Sequence, residues 1–110
     1  MDTLALHTDL YQITMMAAYF HCGRTEGTDN FAQCEMFVRR MPKNRKFMVV
    51  AGVNQALEYI ENLRFTDPQI EMLKEVPAMR KVMTRDFVEY LRSFRFSGDV
   101  WAVPEGTILF

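Results

Sequence analysis

The hydrophobic period of this chain changes repeatedly over short distances, which restricts the architectures open to it. Leu10, Ile13, Thr14, Ala17 and Ala18 recur at the spacing of one helix face. Residues 31–40 alternate instead. Phe31, Gln33, Glu35, Phe37 and Arg39 fall on one side, and Ala32, Cys34, Met36, Val38 and Arg40 on the other. Helical spacing returns at Ala56, Leu57, Ile60 and Leu63, then at Ile70 and Leu73, then at Phe87, Tyr90, Leu91 and Phe94. Short strand-like runs follow at Val100–Val103 and Thr107–Phe110. Helices mixed with a few short strands predict one α+β domain over residues 1–110. It should hold about four helices and a small mixed or antiparallel sheet.

Breakers and caps set the boundaries. Thr8 or Asp9 is placed to cap a first helix over about Asp9 to Cys22, with Gly23 as its stop. Gly23 to Asn30 is polar and reads as a loop. The second face of residues 31–40 is apolar over four of five positions and is expected to meet the core. Pro42 and the polar residues 43–46 end that segment. Phe47–Ala51 is a short continuous apolar run that suits a buried strand or the first turn of a helix. A second helix runs from Val53 to about Asn62. Thr66 caps a third with Pro68 in its first turn, and Thr84 or Asp86 starts a fourth. Ser97-Gly98-Asp99 turns the chain, and Pro104-Glu105-Gly106 interrupts the final strand region. The sequence stops on four strand-forming residues with no turn or cap after them. An open apolar edge invites aggregation, so the expectation is the amino-terminal part of a longer protein.

Composition excludes several classes. Thirteen basic and fourteen acidic residues leave a net charge of −1, which gives no electrostatic case for nucleic acid or an anionic membrane. The longest apolar stretches fall well short of the ~20 residues a bilayer span needs. No signal peptide is visible. Cys22 and Cys34 are too few for a disulfide scaffold and read as reduced thiols of a cytoplasmic protein. His7 and His21 form no metal-ligand spacing with them. Nine methionines and nine phenylalanines supply a core, and equally supply surfaces for another domain or subunit.

No self-contained catalytic set is present. There is no Gly-rich phosphate loop, no serine-nucleophile motif and no Cys–His pair at a recognisable spacing. Thr8-Asp9-Leu10-Tyr11-Gln12 is the most suggestive stretch. It places a carboxylate and an aromatic ring at the positive end of a helix, where unpaired N–H groups suit a small anionic ligand. Tyr11 in the first turn is placed to stack on a flat heteroaromatic ring, and Asp9 to accept from a ligand or a nearby N–H. The plain alternative is that Thr8 and Asp9 only cap the helix while Tyr11 packs in the core.

The chain as a whole adds to this reading. Thr8-Asp9-Leu10-Tyr11-Gln12, Thr14-Met15 and Tyr19-Phe20 resemble the start of the nicotinate phosphoribosyltransferases. Cys34 to Pro42 is similar to that family's F-E-L-F-x-R-x-x-P strand, with Cys34 and Met36 where phenylalanine and leucine are more usual. Asn44-Arg45, Ala51 to Ile60, Leu63 to Thr66, Tyr90-Leu91-Arg92, Phe94 to Val100 and Pro104 to Thr107 resemble further blocks, in order. The resemblance spans about Leu6 to Phe110.

It implies the amino-terminal domain of a type II phosphoribosyltransferase, incomplete at its C-terminus and lacking the catalytic α/β barrel. Such enzymes join nicotinate to the ribose of phosphoribosyl pyrophosphate, giving nicotinate mononucleotide and pyrophosphate. ATP hydrolysis through a phosphohistidine drives the step, with Mg2+ as helper, in NAD salvage. The family's active site lies between one subunit's barrel and the amino-terminal domain of a neighbour, so a homodimer is implied. Tyr11 matches the tyrosine that packs against nicotinate, with Asp9 beside it. No catalytic residue or metal ligand is implied within these residues, and neither His7 nor His21 matches the phosphohistidine. Arg39, Arg40 and Arg45 are read as solvated or locally paired. Other readings are an enzyme using nicotinamide or quinolinate, and a non-catalytic module retaining only this domain.

Overall fold

A computed structural model describes residues 4–23 and 31–110. Their elements are α1 (Leu10–His21), β1 (Met48–Val49), α2 (Val53–Glu61), α3 (Asp67–Glu75), α4 (Arg85–Ser93) and β2 (Ile108–Leu109). Four helices and a two-stranded antiparallel sheet give the expected α+β class. Most of the loop expected over residues 23–30 lies outside the described residues. Among the described residues no helix is long and apolar enough to cross a membrane.

The helices begin where local chemistry satisfies their first N–H groups. Thr84 Oγ1 accepts from the Phe87 N–H (3.3 Å) at the start of α4. At α3, Pro sits in the first turn and the Thr66 N–H donates to Gln69 Oε1 (2.9 Å), so the third helical residue reaches back to the cap. The expected apolar faces of these two helices hold: Ile70, Leu73, Phe87 and Leu91 are buried, with Tyr90 and Phe94 partly so.

α1 lies against α4, and α3 against α4, around Phe87, Ile70, Met79 and Leu91, all fully buried. The ambiguous basic stretch 76–83 folds as successive tight turns. They bury Met79 while Arg80 and Lys81 stay exposed. The inward face of α1 shares Ile13 and Ala17 with the expected stripe but is rotated toward Met16 and Phe20. Ile13 and Ala17 are buried and Met16 and Phe20 pack against the core, whereas Leu10 and Ala18 are exposed. The expected stripe is offset by rotation about the helix axis, because it passed over Met16 and Phe20. The Phe20 ring reaches those of Phe87 (5.3 Å) and Tyr90 (5.0 Å). His21 Nε2 donates to the Val82 carbonyl (2.9 Å), which requires the tautomer protonated there and ties the end of α1 to the turns before α4.

β1 and β2 pair antiparallel, Met48 opposite Leu109 and Val49 opposite Ile108. The pairing continues through Val50 N–H to Thr107 O (2.9 Å) and Gly106 N–H to Val50 O (2.8 Å). Pro104–Thr107 is a turn in which Thr107 N–H bonds Pro104 O (3.2 Å). Its third position has φ +80°, which glycine adopts without a Cβ clash, hence Gly106.

Two expected strands are absent. Residues 31–40 and 100–103 run without a ladder partner among the described residues. Ala32, Cys34, Met36 and Val38, expected to meet the core, are all exposed. Alternation sets which side chains share a face, but a strand exists only where a neighbour takes up its N–H and C=O groups.

Large apolar side chains remain uncovered as a result. The chain exposes 9601 Å², against about 6,300 Å² for a compact chain of this mass. Its radius of gyration is 17.0 Å, where a compact domain of this length has about 13 Å. Surface charges contribute little by comparison. Arg92 bonds Asp67 of α3 (2.8 Å) and Glu89 (2.6 Å), and these bonds, the one to Asp67 first, hold its guanidinium above its ordinary pKa. Both pairs face solvent, where screening and side-chain entropy offset the attraction. Arg92→Ala is therefore expected to move the urea midpoint far less than any core truncation, a comparison that two circular-dichroism titrations make directly.

Candidate functional site

The segment before α1 is fixed by its own contacts. Ala5 is buried in the core, the His7 N–H closes a turn onto Leu4 O (2.8 Å), and Tyr59 Oη of α2 donates to the same carbonyl (3.4 Å). The start of α1 is thus held against α2 and the helical core. Asp9 is the N-cap in backbone terms, with φ −72° and ψ 143°, and its carbonyl accepts from the Gln12 N–H (3.0 Å).

The expected side-chain cap is not made. The Asp9 carboxylate bonds none of the first-turn N–H groups. The extended backbone at Asp9 is the one usual for an N-cap, and the residue is exposed to water. Thr8 is also exposed.

Tyr11 does not pack in the core. It is 56% exposed, and Met15 (41%) and Tyr19 (52%) follow one and two turns later on the same side of α1. The helix has two apolar faces: Ile13, Met16, Ala17 and Phe20 point inward, and Tyr11, Met15 and Tyr19 point out. Of the plain alternative, Asp9 holds the N-cap position without a side-chain cap bond, and Tyr11 lies outside the core. Asp9 and Tyr11 are each exposed near the start of a helix that is anchored from behind. Such a pair can stack on a flat ring and accept a hydrogen bond. It cannot by itself supply a nucleophile or a metal set.

The other candidates resolve simply. Cys22 and Cys34 are free, exposed thiols. His21 serves the Val82 contact, and His7 is exposed apart from it. Arg39, Arg40 and Arg45 are exposed, on the segment that lacks a ladder and the turn after it. Among the described residues no three His, Cys, Asp or Glu side chains come together.

One important residue escaped the sequence reading. Glu105 Oε1 accepts from the N–H groups of Gly52 (3.0 Å) and Asn54 (3.0 Å), and Oε2 lies 3.2 Å from the Gly52 nitrogen. A carboxylate more than fifty residues away therefore caps α2. Gly52, the residue before that helix, has φ +97°, which favours glycine, and as glycine it has no side chain to cap the helix. A helix start preceded by glycine was the available signal, but nothing in the sequence says which acceptor fills it.

With this geometry in view, comparison with known proteins decides the family. The family model of the nicotinate phosphoribosyltransferase (NAPRTase) N-terminal domain matches residues 6–110. The chain belongs to the nicotinate phosphoribosyltransferase family. It is 38% identical over 106 residues to nicotinate phosphoribosyltransferase pncB2 of Mycobacterium tuberculosis, covering 96% of this chain and 21% of that protein. It is 39% identical over 109 residues to the nicotinate phosphoribosyltransferase of Bacillus subtilis, covering 99% of this chain and 21% of that one. The Bos taurus nicotinate phosphoribosyltransferase is 33% identical over 106 residues, covering 96% and 19%. The chain thus spans about a fifth of the length of the curated relatives it matches, and the match falls on their N-terminal domain.

Proposed function

We propose that these residues form the substrate-presenting N-terminal domain of an enzyme joining nicotinate to the ribose of phosphoribosyl pyrophosphate. Its products would be nicotinate mononucleotide and pyrophosphate. The observation carrying this reading is the outward Tyr11 ring beside an uncapped Asp9 carboxylate, at the start of an anchored helix of this family.

Ribosyl transfer passes through a cationic, oxocarbenium-like state, so catalysis rests on holding the pyridine nitrogen in line with the sugar carbon and the pyrophosphate. The Tyr11 ring would stack on the pyridine and fix its plane, and Asp9 would orient a neighbouring donor. The barrel, the phosphohistidine, and the ATP and Mg2+ that drive turnover are assigned to the rest of the enzyme. The outward face of α1, with Met15 and Tyr19, would meet the barrel of a second subunit in a homodimer of a cytoplasmic enzyme. On this reading Tyr11 would lie at the seam between subunits.

The test is kinetic. A chimera carries this domain in place of the matching first fifth of the Bacillus subtilis relative. There Tyr11→Ala should raise the KM for nicotinate by about 2- to 12-fold, the range that corresponds to a stacking contribution of about 0.5–1.5 kcal/mol. The KM for phosphoribosyl pyrophosphate should stay unchanged, and Tyr11→Phe should keep most of the affinity. An unchanged nicotinate KM in the alanine variant rules the stacking role out. Assaying nicotinate, nicotinamide and quinolinate side by side separates the pyridine substrates.

A further inference from the structure

The first turn of α1 has little of its own to hold it. Leu10, Tyr11 and Gln12 are all exposed, Asp9 makes no side-chain cap, and the first buried residue of the helix is Ile13. A helix start in this state leaves its first N–H groups to water and frays. Its order has to come from the residues before it. There Ala5 is buried and Leu6 packs against the core. The Leu4 carbonyl closes the turn by accepting from the His7 N–H (2.8 Å), and it also accepts from the Tyr59 hydroxyl (3.4 Å), fifty-five residues away. Tyr59 is itself placed from both ends of α2. That helix buries none of its own residues. Glu105 takes up the Gly52 and Asn54 N–H groups at its start, and Leu63, just past its end, packs against the core.

We infer that Tyr59 is a positioning residue for Tyr11. Its hydroxyl ties the turn of residues 4–7 to α2, and so keeps the first turn of α1, with the Tyr11 ring, in the geometry that receives the pyridine. The inference rests on the proposed stacking role of Tyr11. Tyr59 itself touches neither substrate. The phenol oxygen makes the contact with Leu4, so the role needs the hydroxyl and is lost in phenylalanine. Thr14 does not fill it: its Oγ1 donates to the Tyr11 carbonyl (3.0 Å) within α1, which leaves the helix start free to move relative to α2.

The kinetic consequence follows from populations. Nicotinate binds the ordered helix start, and a frayed start has to reorder first, so the apparent affinity falls with the ordered fraction. At saturating nicotinate the ordered start is selected, and turnover proceeds as before. The signature of the hydroxyl is a change in KM without a change in kcat. The effect is bounded by that of Tyr11→Ala, because displacing a ring for part of the time costs no more than removing it.

In the chimera with the Bacillus subtilis relative, Tyr59→Phe removes the hydroxyl and keeps the ring. It should raise the KM for nicotinate by about 2- to 5-fold, the scale of one neutral hydrogen bond, with kcat and the KM for phosphoribosyl pyrophosphate unchanged. In the Tyr11→Ala background it should add nothing, because the ring it positions is gone. An unchanged nicotinate KM in Tyr59→Phe, beside a raised one in Tyr11→Ala, overturns the inference and leaves the stacking role standing. An equal rise in both backgrounds also overturns it, since Tyr59 would then act on something other than Tyr11. If Tyr11→Ala is itself silent, both readings fall. NMR relaxation on the 110-residue chain gives a readout apart from activity. Backbone order parameters at residues 8–12 should fall in Tyr59→Phe while those of α4 hold. Unchanged order parameters at residues 8–12 overturn the inference even where the chimera fails to fold.

Discussion

Phe87→Ala is expected to remove about 3–5 kcal/mol of stability, enough to unfold much of the helical unit at room temperature. Phe87 is fully buried where α1, α4 and the turns of residues 76–83 meet. Its ring lies 5.3 Å from that of Phe20, 5.8 Å from His21 and 6.1 Å from Tyr90. Truncation removes the transfer free energy of the ring and leaves a void whose walls come from three separate elements. Collapse would require α1 and α4 to shift together, so little of the loss is recovered. A chain with this much uncovered apolar surface starts from a stability at or below the ordinary 5–15 kcal/mol, so the loss is a large fraction of the total. Phe87→Leu keeps most of the volume and should cost less than about 1.5 kcal/mol. Urea unfolding checks both: the midpoint falls strongly for alanine and slightly for leucine, with slopes unchanged. An unshifted midpoint for alanine would mean the helices do not share this core.

What could be read from the sequence was what local chemistry decides. Thr66 with Gln69 and Thr84 with Phe87 sit within one turn of each other, so α3 and α4 were visible with their caps and inner faces. α1 was placed with bounds within a residue, yet only Ile13 and Ala17 of its inner face were read, because Phe20 owes its position to Phe87 and Tyr90 nearly seventy residues on. The strand expected at residues 31–40 failed for the same reason in a stronger form. Alternation is written locally, but a ladder is made with a partner elsewhere. The proposed roles of Tyr11 and Asp9 rest on a stretch of five residues. That Tyr11 faces outward and that Asp9 leaves the helix uncapped depended on how Ala5 and Tyr59 hold the preceding turn.

The clip from Glu105 to α2 is the non-local contact with the largest consequence outside the core. Glu105→Ala should destabilise the start of α2 and the β1–β2 pairing together, by about 2 kcal/mol, the scale of a lost helix cap with a charged acceptor. The two are coupled because the turn that carries Glu105 also supplies Gly106 N–H and Thr107 O to Val50. Glu105→Gln retains one acceptor oxygen and loses the charge, so it should cost about half as much. Solvent reaches the carboxylate, so the difference between the two variants should narrow as salt is raised. Amide exchange gives the readout: the Gly52 and Asn54 amides speed up in both variants, and Val50 and Gly106 follow in the alanine variant. If Gly52 and Asn54 exchange faster while Val50 and Gly106 do not, the helix cap and the sheet are independent and the clip spans only one of them. Because Tyr59 of α2 bonds the Leu4 carbonyl just before α1, the same loosening should reach the turn that positions Tyr11. The alanine variant placed in the full-length chimera should then raise the KM for nicotinate without touching the ring that is proposed to bind it.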